Sequence, residues 1–212
     1  MAHLTTSPEN FILTNEMKSQ LIPDGVPVFI GIDLETTGLE AENHHILSVA
    51  ILLADKNFNP IGDGLELIVH QSEENLNTMD DWCRNTHTKS GLIEQVRKSA
   101  LSQADVEYDM VAFLRANVPN LDIGNARANL PMAGNSIYLD RRFLEVHMSN
   151  LFRCFHYRSV DASTIKEIVR HQRPELFHSL EKSLGHTAMA DIVESFEELR
   201  IYNAHFFHSS PY

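Results

Sequence analysis

The stretch VPVFIGIDLETTGL, residues 26–39, passes from an apolar run straight into a pair of carboxylates. Val28, Phe29, Ile30 and Ile32 are interrupted only by a glycine, the pattern of a strand buried on both faces over residues 26–32. Asp33 and Glu35 stand at its C-terminal end. Residues two apart on a strand point to the same side, about 6.5–7 Å apart along the chain. Two carboxylates held there repel each other unless a cation lies between them, and carboxylate oxygens suit Mg²⁺ or Mn²⁺. The polar edge of a turn at Thr36-Thr37-Gly38 accounts for the same letters, so the pair alone does not decide.

Two further apolar runs follow, ILSVAILLA at 46–54 and another at 65–70. Turn signals at 57–60 and at Gly62-Asp63-Gly64 separate them, and three strands so spaced predict an antiparallel meander. Beyond His70 the pattern becomes helical: Val106, Met110, Phe113 and Leu114 share a stripe that Pro119 ends. A short strand end at 131–135 precedes a helix over about 140–148, and a strand-like stretch at 157–161 precedes a helix that Ser163 could cap, running to Arg170. Met189, Ile192, Val193, Phe196 and Leu199 stripe a last helix. Strands first, then alternating strand and helix, predict a mixed α/β layer fold. Residues 1–26 read as a loosely structured lead-in and 27–208 as a single domain.

The chain has 212 residues, 43% hydrophobic and 22% charged, the composition of one ordinary globular domain. Its net charge of −12 disfavours a long nucleic acid held along a basic stripe. A short phosphorylated substrate stays compatible where divalent cations reverse the local field. Two cysteines, Cys83 and Cys154, without a CxxC motif fit free thiols in a reducing compartment. No apolar run reaches membrane-spanning length and no basic start precedes an apolar block, so the expected location is cytoplasmic.

Three more candidates carry chemistry. Asp140 sits at a helix start, where complementing the helix dipole is explanation enough. His186 and Asp191, in GHTAMADI, converge only if His186 precedes the helix that carries Asp191, and Asp191 otherwise reads as part of a solvated face with Glu194 and Glu198. Taken in order, however, Asp33-x-Glu35, Asp140 and His186-x4-Asp191 match the DEDDh pattern of 3′→5′ exonucleases. IDLETTGL (32–39), VHQS (69–72), MDDWCRNTHTKSGL (79–92), GNSIYLDRRFL (134–144), HYRSVDASTIKE (156–167) and GHTAMADI (185–192) resemble the signature blocks of the oligoribonuclease family, in family order over most of the chain.

The resemblance implies a ribonuclease H-like fold, a central mixed sheet with the first three strands antiparallel and helices on both sides. It makes Asp33, Glu35, Asp140 and Asp191 ligands of two divalent cations, Mg²⁺ or Mn²⁺, and His186 the general base. Tyr157 matches an active-site tyrosine near the scissile phosphate. Leu39 and Trp82 match a wedge against the bases, although a lone Trp is as readily a core or interface residue. His87, Arg158 and Ser163 match groups that cap the 5′ phosphate of a dinucleotide, partly from the second subunit of a homodimer, and Ser136 falls among the substrate-binding positions. The implied reaction is removal of 5′-mononucleotides from the 3′ ends of short RNAs, dinucleotides above all. The sequence departs from the family pattern at Thr37, Ser48 and Ala190. A DEDDh exonuclease acting on DNA or structured RNA, and a silent nucleotide-binding relative, are the competing readings.

Overall fold

The computed structural model describes residues 22–179 and 187–207. Five strands form one sheet in the order β3-β2-β1-β4-β5. β1 (Phe29–Thr36), β2 (Ile46–Ala54) and β3 (Pro60–Ile68) are an antiparallel meander, and β4 (Met132–Gly134) and β5 (Ser159–Asp161) add on parallel to β1. The expected mixed sheet is therefore present. Its strand boundaries are not all as read. Gly62-Asp63-Gly64 is not a turn but lies within β3, where Gly62 and Gly64 take φ of +70° and +72° beside a register shift between Ile51 and Leu53. Glycine adopts such angles without steric cost, so a bulge and a turn carry the same letters.

The helices are α1 (Glu73–Leu76), α2 (Asp81–Lys89), α3 (Leu92–Lys98), α4 (Gln103–Asn117), α5 (Tyr138–His147), α6 (Ser149–Phe152), α7 (Ala162–Gln172), α8 (Pro174–Ser179) and α9 (Ala188–Tyr202). A π-helical turn, Asn203–Phe207, follows α9. Strand alternation sorts the sheet into two faces. Ile30, Ile32, Val49, Ile51 and Leu53 pack with Val106, Met110 and Leu114 of α4 and with Phe143 and Leu144 of α5. On the other side Ala50, Leu52, Ala54 and Ala133 meet Ile192, Phe196 and Leu199 of α9. A third cluster joins Leu47 to Leu76, Cys83, Ile93 and Val96 of α1 to α3.

Two helix readings are corrected. Val193, assigned to the apolar stripe of α9, is 46% exposed, because the face that meets the sheet runs through Ala188, Ile192, Phe196 and Leu199. Ser163 does not cap α7. Asp161 is the N-cap, its side chain accepting from the Ser163 amide at 2.9 Å, and the Ser163 hydroxyl donates to the same carboxylate.

Candidate active site

Because β1 alternates, Gly31, Asp33 and Glu35 face α9 while Ile30 and Ile32 face α4 and α5. Gly31 is required here. A Cβ on it would lie 2.5 Å from both Ile192 Cγ2 and Phe196 Cζ, so the missing side chain lets α9 lie directly on the strand. That approach brings Asp191, in the first turn of α9, over the two β1 carboxylates. Asp33, Glu35 and Asp191 each offer an oxygen within 4.8 Å of the others. Thr187 caps the helix, its side chain accepting from the Ala190 amide.

Asp140 is brought close from the opposite layer. It is 7% exposed, its Oδ1 accepts from the Leu34 amide at 2.9 Å, and it shares a cavity of about 140 Å³ with Asp33, Ser136 and Leu39. Leu34 lies between Asp33 and Glu35, so this bond ties α5 to the carboxylate-bearing end of β1. The chain entering α5 is held in turn by Asp161. Its Oδ1 accepts from Ser136 N at 3.0 Å and its Oδ2 from Ile137 N at 3.2 Å, while Ser136 stands at φ +55°. The sequence reading overlooked Asp161; its only signal was an acidic residue at a strand end, two before Ser163.

Burial and like charge together govern the electrostatics of the cluster. Burial, then the charges of Asp140, Glu35, Asp191 and Glu66, hold the Asp33 carboxyl well above the usual carboxylate range. Burial, then Asp191 and Glu66, push Glu35 up to about 7. Burial also raises Asp140, against the hydrogen bonds from its own amide and from Leu34. Closely spaced, partly buried carboxylates that resist ionisation together are suited to hard divalent ions.

A cavity of about 510 Å³ opens over Glu35 and Asp191 and is lined also by Leu39, Trp82 and His87. Leu39 is 72% and Trp82 69% exposed, so the lone Trp is not a core residue but stands free at the rim. His87 is 3% exposed: its Nε2 donates to the Thr36 carbonyl at 3.0 Å and its Nδ1 lies 3.8 Å from Glu35 Oε2. Cys83 Sγ donates to the same carbonyl, and α2 is thereby fastened to the end of β1. Both cysteines are free and buried.

Tyr157, Arg158 and Ser163 line neither of these cavities. Tyr157 is half exposed, stacked on His156 with centroids 4.4 Å apart, and the Arg158 guanidinium lies 5.2 Å from its ring centroid. His186 lies outside the described residues.

With clustered carboxylates at the end of the central strand of a layered α/β sheet, the chain is of the exonuclease class, as its match to a family model shows. A family model described as exonuclease matches residues 30–199. The fold is similar to exonuclease I from E. coli in its zinc-bound form with single-stranded DNA (TM-score 0.63, 15% identity, 86% of this chain and 42% of that one). Exonuclease I from Methylocaldum szegediense is likewise similar (TM-score 0.57, 15% identity, 85% and 41%). The chain thus spans about two fifths of those proteins. Full-length likeness lies elsewhere. The chain is 45% identical to an oligoribonuclease of Photobacterium profundum over 84% of its own length and 94% of that protein's, and 44% identical to one of Actinobacillus pleuropneumoniae over 84% and 92%. The chain belongs to the oligoribonuclease family.

Proposed function

We propose that the protein is a 3′→5′ exoribonuclease that hydrolyses short oligoribonucleotides, dinucleotides above all, to 5′-mononucleotides. The observation that carries this reading is the Asp33–Glu35–Asp191 cluster at the base of a cavity rimmed by Leu39 and Trp82. The three carboxylates, with Asp140 beside Asp33, fit a pair of divalent ions, Mg²⁺ or Mn²⁺, by number and by oxygen chemistry. When bound, two such ions would supply Lewis acidity that lowers the pKa of the attacking water and offsets charge developing at phosphorus.

The remaining roles fall to the chain's own side chains. His186 takes the proton from the attacking water, a task suited to an imidazole near neutral pH. A bond forms between the water oxygen and phosphorus, the bond from phosphorus to the 3′ oxygen breaks, and that oxygen takes a proton from solvent and leaves as a hydroxyl. Leu39 and Trp82 wedge against the bases, Trp82 by stacking. Ser136 binds near Asp140. His87, buried behind Thr36, lines the cavity wall from which a 5′ phosphate would be met.

Tyr157, Arg158 and Ser163 belong to the same chemistry through a homodimer, one protomer lending them to the other. The exposure of Tyr157 and its separation from the carboxylate cavities support this arrangement. The −12 charge favours substrates with few phosphates. No described helix is long and apolar enough to cross a membrane, and two free buried cysteines are in keeping with a cytoplasmic setting.

The test compares rates on a 5′-phosphorylated diribonucleotide, a 20-mer RNA and a single-stranded DNA, with and without Mg²⁺ or Mn²⁺. Metal-dependent turnover fastest on the dinucleotide is the expected result. Preference for the long DNA overturns the substrate assignment, and absence of metal-dependent turnover overturns the enzyme.

A further inference from the structure

The sheet register sets two rows on the face that carries the acid cluster. Asp33, Ala50 and Glu66 lie side by side in one, and Glu35, Ser48 and Ile68 in the other. Beside these rows lies a cavity of about 110 Å³, lined by Glu35, Ser48, Glu66, Ser90, Gln95 and Thr187. Its volume is that of about three to four waters. Glu35 is the wall between it and the larger cavity, since it lines both.

Two features of the small cavity point to a ligand. Ser48 is 1% exposed, and its hydroxyl lines the cavity without a hydrogen-bond partner. Leaving a buried hydroxyl unsatisfied is costly, so native structures almost always supply it a partner. Glu66 stands at the solvent side, giving a route in, and its carboxylate accepts the Met189 amide at the start of α9. It forms no ion pair with a described Lys, Arg or His.

Carboxylate and hydroxyl oxygens around so small a space match a divalent ion that keeps several of its waters and is bound through one or two carboxylates. Charge agrees. Four acidic ligands balance two divalent ions in the main site, and Glu66 is a further carboxylate whose charge already bears on Asp33 and Glu35. We propose that the Ser48–Glu66 cavity is an accessory site for a hydrated divalent cation, bound more weakly than the main pair. This rests on the reading of the main cluster as a two-ion site.

Mn²⁺ titration of the full-length protein, followed by the electron paramagnetic resonance of free Mn²⁺, tests it. Wild type takes up three ions, the third at least tenfold weaker. Glu66→Gln keeps an oxygen for the Met189 amide and loses the third ion alone. Ser48→Val, which removes the hydroxyl and fills the space, does the same; if that variant fails to fold, Glu66→Gln decides. Two ions in the wild type, three in Glu66→Gln, or loss of a tight ion along with the weak one each overturn the accessory site. Fewer than two ions in the wild type overturn the underlying two-ion reading instead.

Discussion

Gly31 and Ile192 stand so close that a Cβ on the glycine would meet Ile192 Cγ2 at 2.5 Å. Ile192 is the next residue after Asp191, so the spacing of α9 from β1 is also the spacing of Asp191 from Asp33 and Glu35. Gly31→Ala forces the helix outward. Overpacking of a well-filled core costs about 1–3 kcal/mol. The expected outcome is a lower urea midpoint together with a higher Mn²⁺ requirement for activity, measured on one preparation. A stability loss with an unchanged metal requirement would separate α9 placement from the cluster.

Neutralising one carboxylate should stabilise the metal-free protein while destroying its activity. Asp33 bears the repulsion of Asp140, Glu35 and Asp191 as well as the cost of burial. Asp33→Asn removes that charge with little change of shape. Above pH 8 in chelator, the unfolding temperature should rise by about 2–4 °C, the response of a domain this size to about 1 kcal/mol. Turnover should fall roughly a thousandfold, about 4 kcal/mol of lost transition-state stabilisation. A melting temperature that drops in chelator would count against like-charge strain.

The same repulsion sets a pH dependence. Glu35 holds its proton up to about 7 in the folded chain, against about 4.5 for an ordinary glutamate, and Asp33 and Asp140 shift the same way. Protonation therefore favours the folded state. Its contribution is full below the ordinary carboxylate range and is lost as pH rises through the Glu35 value near 7. Metal-free protein should lose thermal stability between pH 5 and 8, with the loss steepest below the Glu35 value and easing as pH passes about 7. Divalent ions bind the deprotonated carboxylates, so the stabilisation by added Mn²⁺ should grow over the same interval. Scanning calorimetry with and without chelator measures both slopes, and a flat metal-free profile would refute the assignment.

Much of this arrangement was legible in residues 26–39, because a strand of period two cannot place Asp33 and Glu35 on different faces. The meander and the stop at Pro119 were readable for the same local reasons. The short helices α1 to α3 were not, since each buries only a few residues against Leu47 and shows no sustained period. Gly62 and Gly64 misled because bulge and turn demand the same backbone angles. Asp161 was hidden for a different reason: its partners Ser136 and Ile137 are distant in sequence, and no pattern announces a carboxylate that serves two helix starts. Tyr157 and Arg158 line neither carboxylate cavity, and no local pattern in the sequence places them relative to it.

Asp161 should matter more for turnover than its distance from the cluster implies. It holds Ser136, Ile137 and Ser163, and through α5 it sets where Asp140 meets Leu34. Hydrogen bonds to a charged acceptor are worth about 1.5–3 kcal/mol, so Asp161→Ala should lower stability by about 2–3 kcal/mol. Turnover should fall with it even at temperatures where the variant is fully folded. Asp161→Asn, which keeps one acceptor oxygen, should recover part of both. Normal turnover in folded Asp161→Ala would show that Asp140 keeps its place unaided.

Trp82 offers the converse separation, affinity without stability. It is 69% exposed at the cavity rim and contributes little to the core, while its backbone neighbour Cys83 carries the contact with Thr36. Base stacking on an aromatic ring is worth about 1–3 kcal/mol. Trp82→Ala should therefore raise KM for a diribonucleotide by about tenfold and leave kcat within a fewfold of wild type. Thermal stability should change by less than about 0.5 kcal/mol, as for other exposed positions. Trp82→Phe should restore most of the affinity, because the stacking face survives while the indole N–H does not. Equal KM values for wild type and Trp82→Ala would remove Trp82 from the base-binding wedge and leave Leu39 to act alone.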